Sequence, residues 1–185
     1  MGNLVAFEWV SVDGVFDADF MEEWFFPYDS PERRKFIKET YQQADAFLMG
    51  RATYEMLAPY WSQLSDEDKD GLAGVLTHTP KFVASGRPSI AHWGATTTLK
   101  GDIKTEVKKL KHEVGNIMII GSATLAESLA QAGLIDEYKL LVQPFIMGTG
   151  KRFFRQGMKT RMQLAEVKEL NQDMLLLHYR VKTRA

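Results

Sequence analysis

Residues 46–53 read Ala46-Phe47-Leu48-Met49-Gly50-Arg51-Ala52-Thr53, an apolar run that stops at a glycine and leads into helix-forming sequence. The same plan returns at Asn116-Ile117-Met118-Ile119-Ile120-Gly121-Ser122. A short, uninterrupted apolar run indicates a strand that is buried on both faces, which is typical of a parallel sheet. Two such strands, each followed by a helix, predict an α/β fold.

Strands and helices alternate along most of the remaining sequence. The patterns predict further strands over 4–12, 81–84, 96–99 and 138–142, and helices over 31–43, 53–60, 65–76 and 103–114, with one more ending at 132. A last pair of strands, 162–170 and 174–181, flanks turn residues 171–173 and predicts a β-hairpin. We therefore expect one domain over residues 1–185, with a mixed, mostly parallel sheet flanked by helices and a C-terminal β-hairpin that adds antiparallel edge strands.

Composition excludes several classes of function. Lys and Arg total 23 and Asp and Glu total 24, so the net charge of −1 offers no bulk attraction to nucleic acid or to an anionic membrane. The lack of cysteine rules out disulfides and thiolate metal sites, and the four histidines have no metal-ligand spacing. No apolar stretch approaches the ~18 residues of a membrane span, and residues 1–12 show no basic leader. We expect a cytoplasmic protein without a metal centre.

Small and polar residues follow nearly every predicted strand, at the edge of a parallel sheet where ligands collect. Glycine lets the backbone approach a ligand closely, and a helix that begins just afterwards directs unpaired N–H groups at an anion. The junctions at Gly50 and Gly121 combine both features, so together they favour a dinucleotide or a similar anion. The usual fingerprints, G-x-G-x-x-G after the first strand and G-x-x-x-x-G-K-[ST], are absent.

Several motifs, spread in order along the chain, resemble dihydrofolate reductases and the reductase half of the bifunctional riboflavin-biosynthesis protein RibD. Met49-Gly50-Arg51-Ala52-Thr53-Tyr54-Glu55 resembles the M-G-R-x-T-x-E segment of dihydrofolate reductases, and Ile119-Ile120-Gly121-Ser122-Ala123-Thr124-Leu125 is similar to their second glycine junction. Ser11-Val12-Asp13-Gly14 and Pro144-Phe145-Ile146-Met147-Gly148-Thr149-Gly150 look more like RibD. The chain is identified as a stand-alone member of the RibD C-terminal, dihydrofolate-reductase-like superfamily.

This resemblance implies an NADPH-dependent reductase whose cofactor lies along three strand ends. The first junction would hold cofactor phosphates, through Gly50, Arg51, Ala52 and Thr53. The second junction would cradle the pyrophosphate and the nicotinamide side, through Gly121, Ser122, Ala123, Thr124 and Leu125. The end of the third strand would reach the adenosine 2′-phosphate, through Ser85 and Arg87. Backbone N–H groups and a guanidinium suit phosphate geometry. A surface salt bridge is the alternative for Arg51, and a plain helix N-terminal hydroxyl is the alternative for Thr53.

Two carboxylates are candidate catalytic proton donors on the substrate side. Asp13 follows the first strand, and Glu32 lies near the position where dihydrofolate reductases carry an acid on their first helix. A plain Asp-Gly turn and a favourable charge at a helix N-terminus are the respective alternatives. Ile120 stands where RibD reductases have an acidic residue, and its apolar side chain suits a flat heterocycle. The other candidates for substrate contact are Trp24, Gly148 and Gly150.

The expected activity is hydride transfer from NADPH to a small conjugated heterocycle of the pterin or pyrimidine type. Dihydrofolate reduction proper, reduction of the riboflavin precursor 5-amino-6-(5-phosphoribosylamino)uracil, and nucleotide binding without turnover are the alternatives. The A-D-D-P-type segment that helps RibD bind its substrate is missing, as is the deaminase domain, which disfavours the riboflavin precursor. The resemblance also implies a homodimer, with Phe153 and Phe154 as candidate interface residues.

Overall fold

The computed structural model describes residues 1–87, 91–155, 157–170 and 173–182. Within these ranges, the strands form one eight-stranded sheet in the order β4-β3-β2-β5-β1-β6-β8-β7. The strands are β1 (Asn3–Ser11), β2 (Ala46–Gly50), β3 (Lys81–Ala84), β4 (Thr96–Leu99), β5 (Asn116–Ile119), β6 (Glu137–Gln143), β7 (Met162–Glu169) and β8 (Leu175–Val181). The predicted fold class is confirmed.

Strand direction defines the functional edge of the sheet. All neighbours from β4 to β6 are parallel, whereas β8 runs antiparallel to β6, and β7 runs antiparallel to β8. The carboxyl ends of β1 to β6 therefore share one side, called here the C-terminal edge. The predicted antiparallel hairpin is present, but of its two strands only β7 lies at an edge of the sheet, because β8 lies between β6 and β7. Positions 171–172 of the predicted turn lie outside the described residues.

Helices cover both faces of the sheet. They are α1 (Met21–Trp24), α2 (Pro31–Tyr41), α3 (Arg51–Trp61), α4 (Leu72–His78), α5 (Ile103–Glu113) and α6 (Ala123–Gln131), with a 3₁₀ turn over Phe26–Tyr28. Leu4 of β1 belongs to a core cluster with Leu110 and Leu129 of α5 and α6. Phe7 belongs to a second cluster with Ile37 of α2. Alternate residues of the central strand thus pack against different helical layers, as a parallel sheet requires.

The predicted helix over 65–76 is wrong in its first half. Residues 66–71 form turns, and α4 begins only at Leu72. Ser65 donates both its backbone N–H and its hydroxyl to Asp68 Oδ2, at 2.8 Å each, so the acidic residue closes a local turn. Lys69, Asp70 and Gly71 then have φ values of +53°, +59° and +81°, which a right-handed helix cannot contain.

Among the described residues, no helix is both long and apolar enough to span a membrane.

Candidate functional site

The two glycine junctions lie side by side at the C-terminal edge. β2 and β5 are neighbours, and Gly50 N donates to Gly121 O at 3.0 Å. α3 begins directly after Gly50, and α6 begins two residues after Gly121. The first N–H groups of a helix lack partners within that helix, so two sets of donors and two positive dipole ends converge at one place. The structure therefore brings together the two junctions that were candidates for phosphate binding.

Close packing between the junctions disfavours a side chain at either glycine, most strongly at Gly121. A Cβ on Gly50 would lie 2.6 Å from Ser122 Oγ, and a Cβ on Gly121 would lie 2.7 Å from Thr53 Oγ1. Gly121 also has φ +55°, a conformation that strains any other residue. A side chain at Gly121 would meet both branches of Thr53 and force the two helix N-termini apart, whereas at Gly50 its closest contact would be the Ser122 hydroxyl.

The side chains of the first junction contribute one cation and one hydroxyl. Arg51 Nε is 2.7 Å from Glu55 Oε1, one turn along α3, so the salt bridge weighed for Arg51 is present. In the described structure this bond uses Nε alone, which leaves the terminal guanidinium nitrogens for an anion. Thr53 packs against Gly121, whereas Ala52 is exposed and contributes only backbone.

The second junction presents mainly backbone donors. Ser122 Oγ accepts from Leu125 N at 3.4 Å and so caps α6. Ala123 and Leu125 are buried in the core, whereas Thr124 is exposed and its hydroxyl accepts from Arg155 Nη2 at 2.8 Å.

Ser85 and Arg87 follow β3, the strand beyond β2. Ser85 Oγ donates to Arg87 O at 2.5 Å and accepts from Arg87 N at 3.1 Å, which closes a tight local turn. Arg87 is exposed. The turn presents a hydroxyl and a cation at the same edge as the junctions, where the 2′-phosphate role stays a prediction.

Glu8 is a buried carboxyl group that the sequence patterns missed. It lies on β1, is only 1% exposed, and its Oε1 accepts from Gly121 N at 2.7 Å. Burial raises the pKa of Glu8 well above its ordinary value, against the smaller opposing effect of the Gly121 hydrogen bond. In the sequence Glu8 looked only like an interruption of an apolar strand. The structure shows that it ties the second junction to the central strand.

Asp13 anchors the glycine loop of residues 147–150. Its carboxylate accepts from Ser11 Oγ at 2.7 Å, Met147 N at 3.0 Å and Gly148 N at 2.9 Å. These hydrogen bonds, that of Ser11 first, lower the pKa of Asp13 to about 2. Asp13 is therefore ionised at neutral pH, which disfavours it as a proton donor. Gly148 and Gly150, both at positive φ, lie in the loop that it holds.

On α2, the structure exposes Glu32 and buries Arg33, which is 2% exposed. Arg33 Nη1 donates to Phe25 O at 2.9 Å, and its Cζ lies 4.0 Å from the centre of the Phe25 ring. Burial lowers the pKa of Arg33 to about 10, so its guanidinium stays charged at neutral pH. The sheet-facing position at the start of α2 thus carries a cation. The catalytic role of Glu32 stays a prediction.

Aromatic side chains line the α2 face of the C-terminal edge. The Phe25 ring contacts Trp9 and Trp24 at centroid distances of 5.4 and 5.9 Å. Trp24 is buried and donates from Nε1 to Asp19 O at 3.2 Å. Ile120 is 4% exposed in the same core cluster as Phe7. Their substrate contacts stay predictions.

The sheet order and the paired glycine junctions define a dihydrofolate-reductase-like α/β protein. The chain belongs to the RibD C-terminal domain family, whose model matches residues 3–176.

Two proteins of Bacillus subtilis (strain 168) are similar to this chain in sequence. The chain is 27% identical to the uncharacterized protein YwjB of Bacillus subtilis (strain 168) over 173 residues, 92% of each chain. It is 29% identical to YyaP of the same organism over 113 residues, a match that spans only 60% of each protein.

Solved structures show the same fold. RibD of Acinetobacter baumannii (form 2) superposes with TM-score 0.70 at 18% identity, covering 98% of this chain and 58% of RibD. Dihydrofolate reductase from Enterococcus faecalis, complexed with NADP(H) and RAB-propyl, superposes with TM-score 0.64 at 15% identity, covering 98% of both chains.

Proposed function

We propose that this protein is an NADPH-dependent reductase that transfers a hydride to a small conjugated heterocycle of the pterin or pyrimidine type. The observation that carries the proposal is the contact between the two glycine junctions, which joins two helix N-termini at the C-terminal edge. Membership of the RibD C-terminal family supports a reductase.

The donor set fits a cofactor with several phosphates. The first N–H groups of α3 and α6, with the free nitrogens of Arg51, would hold the pyrophosphate. Ser85 and Arg87 would hold the 2′-phosphate beside β3. Bound NADPH would supply the hydride, which is chemistry that no side chain performs.

The chain's own residues orient the reactants and exclude water. Asp13 holds the 147–150 loop over the end of β1 and β6, and Glu8 holds the Gly121 turn. Because Asp13 is already ionised, we propose that the proton comes from solvent or from Glu32.

The test is NADPH oxidation measured with a panel of pterins, folates and pyrimidines, beside a separate titration of NADPH binding. We expect NADPH to be oxidised only when one of the heterocycles is present. Turnover of dihydrofolate would favour the alternative that the protein is a dihydrofolate reductase. Tight NADPH binding with no oxidation across the panel would indicate a nucleotide-binding module. Absence of NADPH binding would contradict the proposal altogether.

A further inference from the structure

Three buried polar side chains on the α2 face have atoms without hydrogen-bond partners among the described residues. They are Nε and Nη2 of Arg33, Nε1 of Trp9, and both amide atoms of Gln143. Arg33 is 2% exposed and Gln143 is fully buried. Arg33 feels the charge of Asp29, but the Asp29 carboxylate bonds to Arg34 Nη1 at 2.8 Å instead.

These groups form one patch, called here the donor patch. Trp9 pairs with Leu141 across β1 and β6, and Ser11 pairs with Gln143. Trp9 and Gln143 are therefore diagonal neighbours on the same face of the sheet. The Phe25 ring touches Trp9 on one side and lies over the Arg33 guanidinium on the other. The patch lies at the C-terminal edge, beside the ends of β1 and β6.

Leaving such groups unpaired is costly, since a buried donor without an acceptor loses its hydration and gains nothing in return. A charged guanidinium in this condition costs more than a neutral donor. Two of the three side chains, Arg33 and Trp9, offer only donors at their unpaired atoms. The patch therefore offers donors to a ligand that carries acceptors, and the Phe25 ring covers the guanidinium.

We propose that the donor patch binds the substrate, and that the substrate is a planar heterocycle bearing an anionic, acceptor-rich edge such as a carboxylate or an ionised oxo group. Its negative group pairs with the Nε and Nη2 edge of Arg33, and Trp9 Nε1 donates to a further oxygen. Gln143 completes the edge because its amide can offer either a donor or an acceptor. Because the Phe25 ring lies over the guanidinium, it must move aside for the substrate to reach Arg33. The inference rests on the proposed function and narrows its substrate class.

An amino-substituted heterocycle is the opposite case. Its ring edge carries N–H donors, which need an acceptor such as a carboxylate. The buried residue at the start of α2 is Arg33, which is a cation. The patch therefore selects against diaminopyrimidines and in favour of oxo and carboxylate pyrimidines.

The test compares two probes of the same ring, orotate and 2,4-diaminopyrimidine, by calorimetric titration with and without saturating NADP⁺. We expect orotate to bind and the diamino ring to bind at least tenfold more weakly. Arg33→Met keeps an unbranched apolar stem in place of the aliphatic part of the side chain and removes the guanidinium and its charge. This variant should lower the affinity for orotate at least tenfold. Its melting temperature should be unchanged or higher, because the substitution removes an uncompensated buried charge. Trp9→Phe should weaken orotate several-fold.

Arg34→Met is the matched control, since Arg34 is the next residue of α2 and pairs with Asp29 and Asp70 outside the patch. It should leave orotate affinity unchanged. Three results would each overturn the inference. They are a wild type that does not bind orotate, a wild type that binds 2,4-diaminopyrimidine more tightly than orotate, and an Arg33→Met variant that binds orotate as tightly as the wild type. A lower melting temperature in Arg33→Met with unchanged orotate affinity would assign Arg33 a structural role. NADPH titration of the same proteins separates these results from failure of the proposed function.

Discussion

At the scale of single residues, Glu8 is a buried carboxyl group that accepts a hydrogen bond from the second glycine junction. Its carboxyl group is enclosed between β1 and the Gly121 turn, where a charge would be poorly solvated. A protonated carboxyl still accepts the Gly121 hydrogen bond through its carbonyl oxygen. The Gly121 hydrogen bond therefore does not require an ionised carboxylate, and ionisation of the buried group is what costs free energy.

This cost of ionisation predicts how stability changes with pH. In the unfolded chain Glu8 ionises with a pKa of about 4.3, whereas in the folded protein its pKa is raised. The native state thus binds the extra proton, and the contribution of Glu8 to stability is complete below the unfolded pKa and is lost as pH rises through the folded pKa. Glu8→Gln keeps the acceptor and cannot ionise. Urea unfolding across pH should show the variant gaining stability relative to the wild type as pH rises.

The control for this experiment is Glu39→Gln, which removes one exposed carboxylate of α2 far from the junction. Parallel stability curves for wild type and Glu8→Gln over the whole pH range would contradict the buried, protonated state of Glu8.

Residue patterns identified the backbone parts of the site better than its side chains. Gly50 and Gly121 were recognisable because each follows an apolar strand and precedes a helix. Glu32 and Arg33 were not distinguishable, because neighbouring helix positions differ by about 100° in direction and only the docking of α2 decides which one faces the sheet. Phe153 shows the same limit: it is 2% exposed within the core of this chain, which removes it as an interface residue, while Phe154 is partly exposed.

At the scale of elements, strands were predicted more reliably than the starts of helices. The apolar runs 46–49 and 117–119 are fully buried, so hydrophobic pattern alone predicted them. The start of α4 was wrong because Ser65 and the acidic residues after it suit a local turn as well as a helix N-terminus. The position of β8 inside the sheet depends on long-range pairing with β6, which local patterns do not contain.

The contact between the α3 and α6 N-termini predicts a specific effect of Gly121→Ala. The new Cβ would meet Thr53 and would strain a backbone at φ +55°, so the two N-termini must separate. We expect NADPH affinity to fall at least tenfold in fluorescence titration, with a loss of about 1–2 kcal/mol in stability from the left-handed conformation.

Gly133→Ala is the matched control for this variant. Gly133 follows α6 at φ +66°, and a Cβ there would meet no atom within 4 Å. It should suffer a similar strain and retain full NADPH affinity. Gly50 has an ordinary φ of −72°, so Gly50→Ala adds a side chain to the junction without straining the backbone. This variant therefore separates the effect of steric crowding from that of backbone strain. A folded Gly121→Ala protein that binds NADPH like the wild type would refute the junction as a phosphate cradle.

At the scale of the whole molecule, the sheet order collects groups that are far apart in sequence along one edge. Gly50 ends β2, and Ser85, Gly121 and Asp13 follow β3, β5 and β1; these four strands are consecutive in the sheet. The alternation of strands and helices in the sequence was sufficient to predict this edge of the sheet. The fold by itself does not imply a partner chain. The expected homodimer and cytoplasmic location stay predictions.

The central claim, that this edge binds a nicotinamide dinucleotide bearing a 2′-phosphate, is tested most directly by titrating NADPH and NADH against the wild type and Arg87→Ala. The 2′-phosphate would meet the exposed Arg87 cation in the turn that Ser85 closes, whereas the 2′-hydroxyl of NADH leaves that cation without a partner. A charge-assisted hydrogen bond contributes about 1.5–3 kcal/mol, so the wild type should prefer NADPH by roughly 10- to 100-fold. The preference should shrink in Arg87→Ala, with NADH affinity unchanged. Equal affinity of the wild type for NADPH and NADH would contradict the account.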